Sequence, residues 1–120
     1  MILVRTEMHC KWGRVQEAIE NFKAMAEGIN NQNVIKRSRL LTDLSGRFDT
    51  IIIESEVESL DAYFAFLQAA FADPEFQARQ AAITDSPYQT GQRNYYTIEA
   101  TYEGAGYLFR DPKVCWLSFR

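Results

Sequence analysis

The amino-acid sequence predicts an α+β fold of the ferredoxin-like kind, with elements in the order βαββαβ on an antiparallel sheet. Three observations lead to it. The chain opens on a two-residue alternation, "ILVRTEMH", that changes to helical spacing just after a glycine. Two strand-like runs follow with only a short "LSG" link, too little chain for anything but an antiparallel hairpin. A second apolar helix stripe then leads to a Tyr-, Thr- and Ile-rich run, "QRNYYTIEATY".

Residues 2–9 form the first strand, with Ile2, Val4, Thr6 and Met8 on one face and Leu3, Arg5, Glu7 and His9 on the other. Gly13 in "KWGR" marks the turn. Val15, Ala18, Ile19, Phe22, Met25, Ala26 and Ile29 then recur at helical spacing, and Gly28 with the "NNQN" run ends that helix. The second and third strands are expected at 34–42 and 47–57, the latter rich in β-branched residues. Ser59 is the expected N-cap of a helix whose apolar stripe is Leu60, Tyr63, Phe64, Leu67, Ala70 and Phe71. Asp73 caps, and Pro74 opens, a shorter helix to Ile83. "TDSPYQTG" reads as a loop and residues 92–102 as the fourth strand. Both helices should cover one sheet face. The tail segment "KVCWLSF", residues 113–119, alternates and would aggregate if loose, so it is expected to add a strand to a sheet edge after Pro112. Residues 1–102 are thus the domain and 103–120 a C-terminal extension.

With 120 residues the chain is one ordinary domain. A domain of that size buries only about two thirds of its unfolded surface, so a partner subunit would help it. A net charge of -3 excludes the basic footprint that nucleic acid demands. No apolar run approaches the roughly 20 residues of a membrane span. The N-terminal apolar run breaks at Arg5 and Glu7, unlike a secretory signal, and a cytoplasmic location is expected. Cys10 and Cys115 then read as free thiols, and one histidine with no cysteine pair at ligand spacing gives no metal site.

Several strings carry a family resemblance. "KWGRVQEAIENFK" resembles the strand-turn-helix opening of antibiotic-biosynthesis-monooxygenase-like domains, and "SGRFDTIIIESEVESLDAYFAF" with "ADPEFQA" resembles the NIPSNAP branch of that superfamily. The resemblance spans residues 1–100 and specifies fold better than chemistry. It implies a homodimeric α/β barrel, in which two sheets pack through their helix-free faces around a pocket in each subunit. Relatives of this fold include cofactor-independent oxygenases, isomerases, decarboxylases, haem-degrading enzymes and proteins with no assigned activity, and no cofactor is expected here. The haem-degrading branch carries a histidine on its second helix. Neither "SLDAYFAFLQAAF" nor "PEFQARQAAI" contains one, which argues against haem breakdown.

In such a barrel the mixed strand faces would line the interior. Alternation assigns Arg5, Glu7 and His9 to that face from the first strand, and Arg37 and Arg39 from the second. The third contributes Thr50, Ile52 and Glu54, and the fourth Tyr95, Thr97 and Glu99. Leu3, Leu41, Ile52 and Tyr95 make the face too apolar to stay wholly wet, which supports a homodimer. Two functions fit. As a cofactor-independent monooxygenase or isomerase, the protein would bind a small aromatic or carbonyl substrate in the barrel. His9 would move a proton, Arg39 or Arg5 would hold a carboxylate or enolate oxygen, and Tyr95 would donate a hydrogen bond. Glu7, Arg37, Ile52, Glu54 and Glu99 would line the substrate. As a non-catalytic ligand- or protein-binding module, the same charges would be a structural ion-pair network. Cys10 and Trp12 read as packing residues, since Cys10 lies on the strand face opposite His9.

Overall fold

A computed structural model describes residues 1–28 and 33–102. The expected strand at 113–119 and Cys115 lie outside the described residues. Four strands and three helices follow one another as β1 (Ile2–Cys10), α1 (Val15–Gly28), β2 (Ile35–Thr42), β3 (Thr50–Val57), α2 (Leu60–Ala72), α3 (Pro74–Ala82) and β4 (Tyr88–Thr97). The sheet order is β2-β3-β1-β4, and all three pairings are antiparallel. This is the ferredoxin-like arrangement.

Local chemistry sets the element ends. Gly13 has φ 76°, a left-handed conformation that spares the turn into α1 any side-chain penalty. The Ser59 hydroxyl accepts from Ala62 N at 3.2 Å, and the Asp73 carboxylate accepts from Glu75 N at 3.2 Å, so both expected caps form. Pro74 occupies the first turn of α3, where its missing N–H costs nothing.

Three expected boundaries move, among them the end of β4, which falls at Thr97 rather than residue 102. β3 begins at Thr50 rather than residue 47, so residues 43–49 form a real loop in place of a three-residue link. Asp49 explains the late start. It takes φ 54°, its carbonyl accepts from Cys10 N at 2.8 Å, and its carboxylate accepts from Gly13 N at 2.9 Å. Asp49 therefore staples the β3 entry to the β1 exit before strand pairing begins. β4 begins at Tyr88, so half of the expected "TDSPYQTG" loop is strand. Gly91 lies inside β4, where an added Cβ would come 3.1 Å from the Glu7 carbonyl. Close backbone approach, not a turn, is what that glycine allows.

The core lies on one side of the sheet. α2 packs its end through Val4, Val57 and buried Tyr63, with Ile2, Ile35, Phe66 and Leu67 around them. α1 packs the other through Cys10, Ala18 and Ile51, with Met8, Val15, Ile19, Phe22, Leu40 and Tyr88. Burial, then Asp49, pushes the Cys10 thiol pKa up, which keeps it protonated. In α2 the buried set is rotated from the expected stripe. Phe66 packs the core, whereas Phe64 and Phe71 are exposed and meet Tyr95 and Phe76. A helix apolar on nearly every side leaves its buried face to its neighbours. Trp12 also departs from expectation. It is not packed into either core cluster but stands 79% exposed, edge-on to exposed Phe48 at 5.5 Å.

Candidate functional site

The helix-free sheet face is built by register. β1 pairs Arg5 with Glu54, Glu7 with Ile52 and His9 with Thr50 on β3, and it pairs the same three residues with Asn94, Gln92 and Thr90 on β4. β2 adds Arg37 beside Glu56, Arg39 beside Glu54 and Leu41 beside Ile52. These side chains share one face because paired residues in a sheet point the same way.

A polar ladder crosses all four strands of this face. Gln92 Nε2 donates to Glu7 Oε2 at 3.2 Å, and Glu7 lies 3.8 Å from Arg5. Arg5 in turn lies 3.9 Å from Glu54, which also pairs with Arg39. Arg37 and Glu56 form a parallel rung at 3.8 Å. The Glu54 side chain is only 16% exposed although no element covers it, because its two arginines shield it.

At the end of this face where Leu3 pairs with Glu56 lies a hollow of about 320 Å³, lined by Leu3, Arg37, Arg39, Glu54, Glu56, Ile98, Thr101 and Tyr102. Apolar floor residues and convergent charges are the usual make-up of a small-molecule site. His9 is not among its lining residues. It stands at the other end of β1, half-buried, with Nδ1 3.1 Å from the Thr50 hydroxyl. At about 3.3 Å per residue, the four positions from Arg5 to His9 separate it from the Arg5–Glu54–Arg39 rung by roughly 13 Å.

The expected site residues therefore divide. Arg5, Glu7, His9, Arg37, Arg39, Ile52 and Glu54 all occupy the open face. Tyr95 does not. It pairs with Val4 on the helix side and meets Phe64 at 5.8 Å, so it cannot join His9 or Arg39. Alternation fixed which β4 residues go together but not which set faces inward, and a one-residue offset exchanges them. Asn94 and Tyr96 take the place assigned to Tyr95 and Thr97, with Asn94 Nδ2 donating to Tyr96 Oη at 3.3 Å. Glu99 lies past the end of β4, exposed and outside the hollow. Thr101 and Tyr102 line the hollow; the expected fourth strand included them, but β4 ends at Thr97 and they reach the hollow from the chain beyond it.

Among the described residues no group of three or more His, Cys, Asp or Glu could hold a metal ion, and no helix is long and apolar enough to cross a membrane.

No family model and no curated protein sequence matches the chain. Solved structures do. A NIPSNAP domain protein from Burkholderia xenovorans superposes with a TM-score of 0.70 at 21% identity, covering 87% of this chain and 100% of its own. The heme-degrader MhuD from Mycobacterium tuberculosis, with two hemes bound in its active site, gives 0.67 at 14% identity, covering 86% of this chain and 100% of its own. SnoaB, a cofactor-independent oxygenase from Streptomyces nogalater, gives 0.59 at 19% identity, covering 83% of this chain and 94% of its own. At these identities the likeness establishes a shared fold.

Proposed function

We propose that two copies of this chain close their open sheet faces against each other as a homodimeric α/β barrel, and that the enclosed space binds a small organic molecule. The observation that carries this reading is the open face itself. It holds apolar Leu3, Ile52 and Leu41 beside a charge ladder, with helices only on the opposite side. Sheet-on-sheet packing would bury the apolar set and enclose the hollow.

In the finer form of the proposal the protein is a cofactor-independent oxygenase or isomerase of a small aromatic or carbonyl substrate. His9 accepts a proton, and Arg39 or Arg5, roughly 13 Å along the face, holds a substrate carboxylate. The likeness to SnoaB supports this form. The likeness to MhuD is not extended to haem, because α2 and α3 carry no histidine. A second reading is a non-catalytic binding module, and one observation favours it. Arg5, Arg37 and Arg39 each already pair with a glutamate.

Light scattering should give twice the 13.9 kDa chain mass at micromolar concentration. Native mass spectrometry of the dimer should show a retained small molecule, lost in Arg39→Ala. A stable monomer would end the barrel reading. An empty dimer indifferent to aromatic and enolisable acids would favour the non-catalytic module.

A further inference from the structure

We infer that Thr50 is a positioning residue that fixes the ring of His9 in one tautomer, with the proton on Nδ1 and the lone pair on Nε2. The argument is a count of protons. The Thr50 hydroxyl has one hydrogen and three neighbours within bonding distance. These are the Arg47 carbonyl at 3.1 Å, the Phe48 carbonyl at 3.4 Å and His9 Nδ1 at 3.1 Å. Thr50 is 2% exposed, so water has little access to supply a missing donor. Both carbonyls can only accept.

If the hydroxyl gives its hydrogen to Arg47, it turns lone pairs toward Nδ1, and His9 must then be the donor. Both contacts become hydrogen bonds. If the hydroxyl gives its hydrogen to Nδ1 instead, it abandons the carbonyls and the cluster holds one bond fewer. The first arrangement wins by that bond. It also persists when the ring is protonated, because Nδ1 donates in both states.

The loop that supplies these carbonyls is itself held. Asp49 bonds Cys10 N and Gly13 N at 2.8 and 2.9 Å, which keeps residues 47–49 against the end of β1. Among the described residues Nε2 has no hydrogen-bond partner. Its lone pair is left on the face that the proposed barrel encloses.

This inference rests on the barrel reading for its use and deepens it. A ring so fixed takes a proton at Nε2 from a substrate whose C–H or O–H is acidified by a carbonyl or an aromatic ring. The electron pair stays on the substrate as enolate or phenolate, and the imidazolium that forms still donates to Thr50.

The test needs no substrate. His9 is the only histidine, so untagged, histidine-labelled protein holds one imidazole. Its two ring nitrogens can be read by ¹⁵N NMR at about pH 9, above the ordinary imidazole range. The expected spectrum has a protonated Nδ1 and an unprotonated Nε2, the reverse of free histidine. Thr50→Val should return the ring toward the Nε2–H form, and Thr50→Ser should restore the wild-type pattern. A wild-type ring in the Nε2–H form would overturn the inference, as would a folded Thr50→Val with an unchanged pattern. If Thr50→Val fails to fold, the wild-type and Thr50→Ser spectra still decide. The readout involves no ligand or partner, so a failed barrel or ligand reading shows separately, in the mass and retention experiments.

Discussion

The two faces of this sheet come from the same four strands, yet opposite interactions organise them. On the helix side Val4, Ile51 and Val57 are fully buried, and Ala18, Tyr63 and Cys10 close over them. That side is stabilised by removal of apolar surface from water, which scales with area and needs no particular partner. On the open side, beside half-buried Leu3 and Ile52, the buried or half-buried groups are polar: Arg5, Glu7, Glu54, His9 and Thr50. Each has a named partner, because a polar group withdrawn from water is costly unless paired. The difference teaches where to look for function. A face packed by area is complete as it stands. A face organised by paired charges and still uncovered is arranged for something to be added to it.

The comparison is sharpened first by Ile51→Ala. Ile51 is 0% exposed, and truncation should cost about 2–5 kcal/mol in urea unfolding at any protein concentration. The counterpart on the open face is Glu54→Gln. If a second sheet buries the ladder, loss of the charge shared by Arg5 and Arg39 should cost about 3 kcal/mol and weaken the dimer. A cost below about 1 kcal/mol, with no change in mass by light scattering, would mean that the face is wet and its pairs are surface pairs.

His9→Ala should cost about 1 kcal/mol, the hydrogen bond to Thr50, while ligand retention is lost. Full retention would remove His9 from the site without touching the fold. The smallest effect is expected at Asp85, outside both faces. Hydrogen bonding from Lys11, then the charge of Arg14, holds its carboxyl below the usual carboxylate range. A lowered folded-state pKa contributes stability above the unfolded value near about 3.9, and that contribution fades as pH falls through the folded value. Melting temperature measured from pH 7 down to pH 3 should therefore drop slightly less in Asp85→Asn than in the wild type. An identical acid limb in both proteins would remove this carboxylate from the account.

Much of the open face was legible before any coordinates. Two-residue alternation placed Arg5, Glu7 and His9 together, and the register confirms that they share a face with Glu54 and Arg39. The same rule misplaced Tyr95, because alternation carries relative phase but no absolute direction. The β3 start was also misjudged. "GRFDT" looks extended locally, and only its hydrogen bonds to the distant β1–α1 turn show that Asp49 is a staple rather than a strand residue.

The sequence by itself determined the element order, the caps at Ser59 and Asp73 and the turn at Gly13. These are short-range matters, decided by backbone preferences and by hydrogen bonds spanning two or three residues. Tertiary structure alone decided which β4 residues face the open side, which part of α2 packs the core, and where the Thr50 hydroxyl sends its single proton. Each depends on groups far apart in the chain: Val4 with Tyr95, Val57 with Tyr63, His9 with Thr50. Local periodicity has no means to weigh such partners against one another, whereas packing and hydrogen-bond satisfaction settle them only once the chain has closed on itself.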